Sequence, residues 1–245
     1  MKHEKPSVSV FYPCYNDWAT MGSMVLITLK TVEELGIDFD FTIIDDGSEP
    51  LTHAILDDIE SQFPGVRVTR HEANRGYGGA LKSGFASGDK EWIFYTDGDA
   101  QDDVRELALL VDKAGTEVDV VQGYKLQRHD PLHRIVIGRI YHTIVKLMFG
   151  LKIRDTDCDF RMIRRSVFDT VQLKHNSGVI CAEMMMRITR GGFRIVEVPV
   201  HHYQRAHGKS QFFNFPRLFR VAVNLGSLWY SEVLIYHMKR IFKKP

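Results

Sequence analysis

The stretch Lys90-Glu-Trp-Ile-Phe-Tyr-Thr-Asp-Gly-Asp-Ala-Gln-Asp-Asp103 constrains this chain more than any other. Trp92 to Tyr95 is a short unbroken apolar run, the pattern of a strand covered on both faces in a mostly parallel sheet. Asp97, Asp99, Gln101 and Asp102 follow within six positions, which crowds oxygen donors just past the strand's carboxyl end, where open α/β sheets place their ligands. Carboxylates that close repel one another unless a cation lies between them. Hard oxygen ligands beside a carboxamide suit Mg2+ or Mn2+, typically shared with substrate phosphates. Alone, the pattern is also that of a solvated acidic turn, so its meaning rests on what surrounds it.

With 245 residues, 44% of them hydrophobic, the chain can form a sizeable core. Lys and Arg total 32 against 31 Asp and Glu, and no basic face or aromatic platform motif stands out, so nucleic acid is not an expected partner. Cys14, Cys158 and Cys181 are odd in number, far apart and without a CxxC pair. That excludes a disulfide framework or zinc ribbon and fits a reducing compartment. Behind the polar start Met-Lys-His-Glu-Lys-Pro there is no apolar export segment, so an intracellular protein is expected.

In chain order, a strand at 7–12 closes at Pro13, and Cys14, Tyr15, Asn16 and Asp17 follow it. A helix over 20–35 stops at Gly36, and a second strand over 39–44 runs into Asp45, Asp46, Gly47 and Ser48. Such a loop can accept hydrogen bonds from a nucleoside's base and ribose; it is also an ordinary turn with a Ser cap. A helix over 52–62 and a strand over 66–70 lead to Asn74-Arg-Gly-Tyr-Gly-Gly-Ala80, where glycines let backbone approach a ligand and the helix they open points N–H groups at a diphosphate. The spacing fails the dinucleotide fingerprint G-x-G-x-x-G. After the organising stretch come a helix over 104–113 and a strand over 118–122. The sum is a parallel α/β sheet with right-handed crossovers, its acid loops sharing one edge.

The series Pro13-Cys-Tyr-Asn-Asp17, Ile44-Asp-Asp-Gly-Ser48, Asn74-Arg-Gly76 with Gly78-Gly-Ala80, and Asp97-Gly-Asp-Ala-Gln101 resembles family 2 glycosyltransferases of the GT-A fold, in the branch of dolichyl-phosphate mannosyltransferase and bacterial polyprenyl-phosphate glycosyltransferases. The resemblance implies a Rossmann-like, mostly parallel central sheet with flanking helices and a nucleotide-sugar donor, GDP- or UDP-linked. It implies Pro13, Tyr15, Asn16 and Asp17 against the base, Asp45 and Asp46 beside the nucleoside, and Gly76, Gly79 and Lys82 near the diphosphate. It also implies Asp97, Asp99 and Gln101 at a divalent metal, Mg2+ or Mn2+. Asp17 stands where the family more often has Glu.

The second half is expected to hold the acceptor. Residues 123–134 read as an exposed mobile loop whose Lys125, Arg128 and Arg134 could clamp a phosphate, and the region resembles the family's loop for a polyprenyl phosphate lipid. A helix over 134–149 follows, its broad apolar face either core or membrane-facing. Asp155-Thr-Asp-Cys-Asp-Phe-Arg161 matches the family segment under the sugar, with Asp159 replacing a frequent Gly; Asp155 and Arg161 are equally readable as a structural ion-pair network. Glu183 occupies the position where hydroxyl-glycosylating relatives keep a carboxylate base. Arg205, Gly208, Lys209 and Ser210 match an R-x-x-G-K-S element, implying cations that neutralise the leaving diphosphate or the acceptor phosphate.

Residues 1–210 are read as the catalytic domain and 211–245 as an amphipathic helical tail. From Pro216 to Lys244 the pattern is helical, with Arg217, Arg220, Asn224, Ser227 and Ser231 on one polar stripe and too many polar groups for a bilayer span. The tail suits either a membrane surface or docking on the core or on a second copy in a homo-oligomer. The expected location is cytoplasmic, peripheral on the inner face of the membrane. A phosphate acceptor needs no base, so Glu183→Gln is expected to keep most turnover while Asp99→Asn abolishes it; a sugar-hydroxyl acceptor would make Glu183 the base. The remaining alternative is a nucleotide-sugar binding protein without turnover.

Overall fold

The computed structural model describes residues 5–128, 132–207 and 215–234, and side chains for all of these except 127–128, 132–134, 215–218 and 234. Seven strands, β1 (Val8–Cys14), β2 (Phe39–Asp45), β3 (Val66–Arg70), β4 (Trp92–Tyr95), β5 (Val120–Arg128), β6 (Arg161–Arg164) and β7 (Ile195–His202), form one sheet in the order β3-β2-β1-β4-β6-β5-β7. β1, β2, β3 and β4 are parallel, as expected. β6 is antiparallel to both its neighbours and lies between β4 and β5, so β5 is not the direct continuation of the parallel half. The four-residue run Arg-Met-Ile-Arg is too short to announce itself by periodicity.

Helices α1 (Trp18–Leu35), α2 (Pro50–Gln62) and α4 (Leu107–Lys113) cover one face, and α3 (Tyr77–Ala86), α5 (Leu132–Phe149), α6 (Ile180–Arg190) and α7 (Phe215–Trp229) the other. β4 shows why its sequence is apolar throughout. Trp92 and Phe94 enter the first core while Ile93 and Tyr95 enter the second, as the two-residue period of a strand requires.

Two prolines sit inside strands. β1 runs through Pro13 to Cys14 because β4 stops opposite Phe11, leaving β1 a single neighbour at Pro13, where a missing N–H breaks no ladder. Pro199 lies in β7, an edge strand. The segment expected as a mobile basic loop is strand through Arg128, with Gly123, Tyr124 and Lys125 paired to Val198, Pro199 and Val200.

α7 docks through Val221, Leu225 and Leu228 and leaves Phe219 and Val223 exposed. Trp229 packs partly buried against the core. Among the described residues no helix is long and apolar enough to cross a membrane. The tail beyond Leu234, with its aromatic and basic end, lies outside the described residues.

Candidate active site

The carboxyl ends of β1, β2 and β4 converge on one cavity of about 820 Å3. Pro13, Tyr15 and Asp17 line it from the first loop, Asp46 from the second, Asn74 to Tyr77 from the third, and Asp97, Asp99, Gln101 and Asp102 from the fourth. Lys125, Asp157, Asp159, His202 and Arg205 add a polar floor. Gly138 and Tyr141 of α5, residues 175–178, and Arg220, Val221 and Asn224 of α7 close the far side. The polar stripe on the tail is therefore partly a wall of the site.

The fourth loop is shaped by backbone as well as charge. Ala100 takes φ 57°, a left-handed conformation costly for a residue with a Cβ, and this turns the Gln101 N–H back to Asp99 Oδ1 at 3.1 Å. The Gln101 carboxamide donates to the Tyr203 carbonyl at 3.0 Å, tying the loop to the end of β7. Asp102 pairs with His202 Nδ1 at 3.0 Å. In the third loop Gly76, at φ +82°, and Gly78 leave room for another segment: a Cβ would lie 2.6 Å from the Asn176 carbonyl and 2.5 Å from that of His175, respectively. Instead the Gly78 N–H donates to Asn176 O at 2.9 Å.

Electrostatically the site is short of positive charge. Burial drives the Asp97 carboxyl well above its usual range, Asp159 and Asp99 push it the same way, and the Tyr77 hydroxyl, donating at 2.6 Å, only partly offsets this. Burial also raises Asp99 against the pull of Arg205, whose guanidinium contacts it at 2.5 Å. Asp17 is pushed up to about 6 by burial, with Arg205 at 3.5 Å opposing and Asp99 reinforcing. Arg205 is thus shared between two carboxylates, and its buried Nε has no hydrogen-bond partner among the described residues. Buried carboxylates left uncompensated in this way are chemically suited to a divalent ion. Among the described residues no three His, Cys, Asp or Glu side chains are grouped to hold one unaided.

Several expected site residues lie behind the cavity wall. Asn16 clamps two loops together, its N–H donating to Ser48 Oγ at 3.0 Å and its Oδ1 accepting from the Glu49 N–H at 2.8 Å. Asp45, fully buried, accepts from the Ser48 N–H at 3.0 Å and faces His53 Nε2 at 3.1 Å. Asp46 alone of that pair reaches the cavity, steadied by His71 Nδ1 at 2.6 Å and the Arg75 N–H at 2.9 Å. Gly79 packs against Arg75, and Lys82 turns to the Lys174 carbonyl at 3.3 Å and to Asn176 Oδ1.

On the expected acceptor side, Lys125 lines the cavity and donates to the Asp157 carbonyl at 3.0 Å. Asp155 is buried and accepts from the Asp157 N–H at 3.0 Å. Arg161 has no exposed surface; it donates to Tyr95 Oη, to Asp159 at 2.6 Å, to Gln122 Oε1 at 3.2 Å and to the Thr156 carbonyl at 2.8 Å. Arg161 is thus held in a buried ion-pair network with Asp159. Glu183 is likewise fully buried and does not line the cavity. The side chains of Arg128 and Arg134, and Lys209 and Ser210 entirely, lie outside the described residues.

Tyr77, Tyr141, His175, Asn176, Arg220 and Asn224 line the site without having been singled out as site residues in the sequence. His202 carried a readable signal, a histidine at the carboxyl end of a strand.

A sheet covered on both sides, with acid loops converging on one deep cavity, defines the GT-A class of fold. The profile of glycosyl transferase family 2 matches residues 9–172, and the chain belongs to that family; it is a glycosyltransferase. It is 29% identical over 220 residues to the undecaprenyl-phosphate 4-deoxy-4-formamido-L-arabinose transferase of Enterobacter sp. (strain 638), a match covering 89% of this chain and 66% of that relative's length. Glucosyl-3-phosphoglycerate synthase from Mycobacterium tuberculosis, solved with Mn2+, uridine diphosphate and phosphoglyceric acid, superposes with a TM-score of 0.70 at 18% identity, covering 92% of this chain and 78% of that one. A further mycobacterial protein of known structure superposes with a TM-score of 0.61 at 20% identity, covering 82% and 68% of the two chains.

Proposed function

We propose that the protein is an inverting, metal-dependent transferase that moves a sugar from a GDP- or UDP-linked donor to a polyprenyl phosphate. The observation that carries this reading is the pairing, in one cavity, of uncompensated donor-loop carboxylates with a helical wall whose outer side is apolar. Val136, Ile140, Ile144 and Leu147 on α5 and Phe219 and Val223 on α7 are exposed beside Gly138, Tyr141, Arg220 and Asn224, which line the cavity. An apolar rim around a polar cavity suits a lipid whose phosphate must reach inside while its chain stays in the membrane. The relative's undecaprenyl-phosphate substrate agrees with this, as does binding of Mn2+ and uridine diphosphate in the structural neighbour.

In this reading Asp97 and Asp99 would hold Mg2+ or Mn2+, and the ion would supply charge neutralisation of the leaving diphosphate. Two protein carboxylates alone would make a weak site, so the ion's affinity would rise with the donor present. Asp46 contacts the nucleoside. Arg205, beside Asp99 and Asp17, would stabilise the developing charge on the diphosphate. An acceptor phosphate oxygen, already anionic, attacks the sugar C1 with its lone pair as the C1–oxygen bond to the diphosphate breaks, and configuration inverts. In this reading residues 1–210 form the catalytic domain, and α7 serves as wall through Arg220, Val221 and Asn224 and as membrane contact through Phe219 and Val223. The enzyme would work peripherally at the cytoplasmic face.

Incubating the purified protein with Mg2+ or Mn2+, a panel of nucleotide sugars and a polyprenyl phosphate, followed by mass spectrometry of the extracted lipid, tests this. A glycosylated lipid phosphate is the expected product. Transfer only to sugar hydroxyls, or none from any donor, would end the reading. The hydroxyl-acceptor alternative has against it that Glu183 is enclosed and its carboxyl sits below the usual range: burial raises it, but hydrogen bonds from His175, Lys174 and Arg187 outweigh that.

A further inference from the structure

His175 stands in the cavity wall with its ring gripped from behind. Its Nδ1 lies 2.9 Å from Glu183 Oε2, and its own N–H donates to the same oxygen at 3.0 Å. The Lys174 N–H donates to both Glu183 oxygens, at 3.2 and 3.1 Å, and Arg187 Nε to Oε1 at 3.0 Å. Arg187 in turn reaches Glu232, after α7, at 2.7 Å. Nδ1 is therefore committed, and Nε2, on the opposite edge of the ring, has no hydrogen bond to a described residue. A buried carboxylate that accepts from one loop and one imidazole, and is itself fixed by Arg187, is built to orient that imidazole.

The loop is also registered against the donor side. The carbonyls of His175 and Asn176 press on Gly78 and Gly76, where no Cβ could fit, and Lys82 ties down the Lys174 carbonyl. On its other flank Ser177 Oγ accepts from Asn224 of α7 at 3.1 Å. His175 is thus held between the glycine loop expected to meet the diphosphate and the wall beside the apolar rim. That is where an acceptor must sit to face the donor.

We propose that His175 meets the acceptor phosphate, hydrogen-bonding through Nε2 to a non-attacking oxygen, with Glu183 and Arg187 as positioning residues. This rests on the lipid-phosphate reading above. The attacking oxygen supplies the electron pair to C1, and the pair of the broken C1–oxygen bond leaves with the diphosphate.

The test combines transfer kinetics with calorimetric binding of farnesyl phosphate and, separately, of nucleoside diphosphate with Mn2+. His175→Ala is expected to raise the acceptor KM about tenfold or more and to weaken farnesyl phosphate binding equally, while nucleotide binding stays within about twofold. His175→Gln, which keeps a hydrogen-bonding side chain there, should recover part of the affinity, and Glu183→Gln should raise the acceptor KM in the same direction by a smaller factor. An unchanged acceptor KM and unchanged farnesyl phosphate binding in both His175 variants would overturn the proposal. Absence of transfer to any prenyl phosphate by wild type would instead remove the reading beneath it.

Discussion

The two halves of the cavity use the same residue types in opposite states. Around β1 and β4, Asp99 is buried and Asp17 and Asp97 half-buried about one arginine, and burial with repulsion from neighbouring carboxylates raises all three carboxyls. Around β6 and α6, Asp159 with Arg161, and Glu183 with His175 and Arg187, are matched partner for partner. The first arrangement leaves an electrostatic deficit that a bound cation would relieve; the second spends its charges on holding shape, the orientation of His175 included. A carboxylate's neighbours, more than its place in a motif, separate the two tasks.

The contrast can be broken at either end. Asp99→Asn should cost about a thousandfold or more in transfer rate while leaving the thermal midpoint unchanged or higher, because the deficit is removed with the charge. Parallel turnover and melting measurements check it, and a variant that both unfolds and dies would place Asp99 with the structural set. Arg161→Met should do the reverse. Removing one partner of a buried pair costs about 3–5 kcal/mol, a fall of about 10 °C in Tm by calorimetry. Any activity it retains at low temperature should show an unaltered donor KM.

A smaller effect is expected at the rim. Phe219→Ser with Val223→Ser should weaken binding to anionic vesicles by about 2 kcal/mol in a flotation assay, without altering transfer to a short, water-soluble prenyl phosphate. The smallest concerns Asp17. Its folded pKa of about 6 lies above the ordinary 3.8, so the stability it contributes is fully present below about pH 4 and is lost as the pH rises through about 6. Asp17→Asn should therefore match wild type in unfolding free energy near pH 4 and exceed it at pH 7, by about 1 kcal/mol after solvent screening, in denaturant titrations at the two pH values.

The donor half was legible in sequence because each of its signals is local. An apolar strand followed at once by acid or glycine places a loop on the sheet edge without knowledge of the rest, and Asp17, Asp46, Asp97 and Asp99 all arrive there. Asp45 and Asn16 show the limit: each shares a motif with residues that reach the cavity, but Asp45, the last residue of β2, turns inward, and Asn16, past β1 at φ 63°, turns to a neighbouring loop. The helical wall was not legible. His175, Tyr141, Arg220 and Asn224 are brought together only by packing of α5, α6 and α7, and none sits in a run whose spacing marks a ligand. Glu183 was singled out from the resemblance, yet only the fold reveals that its carboxylate faces the 174–175 turn.

Calorimetric titration of Mn2+ into the protein, with and without nucleoside diphosphate, bears most directly on the charge deficit around Asp97 and Asp99. Weak binding of the ion alone, at least about tenfold tighter binding with the nucleotide present, and loss of that gain in Asp99→Asn are the predicted results. Nucleotide binding indifferent to Mn2+, or a gain that survives Asp99→Asn, would contradict the account.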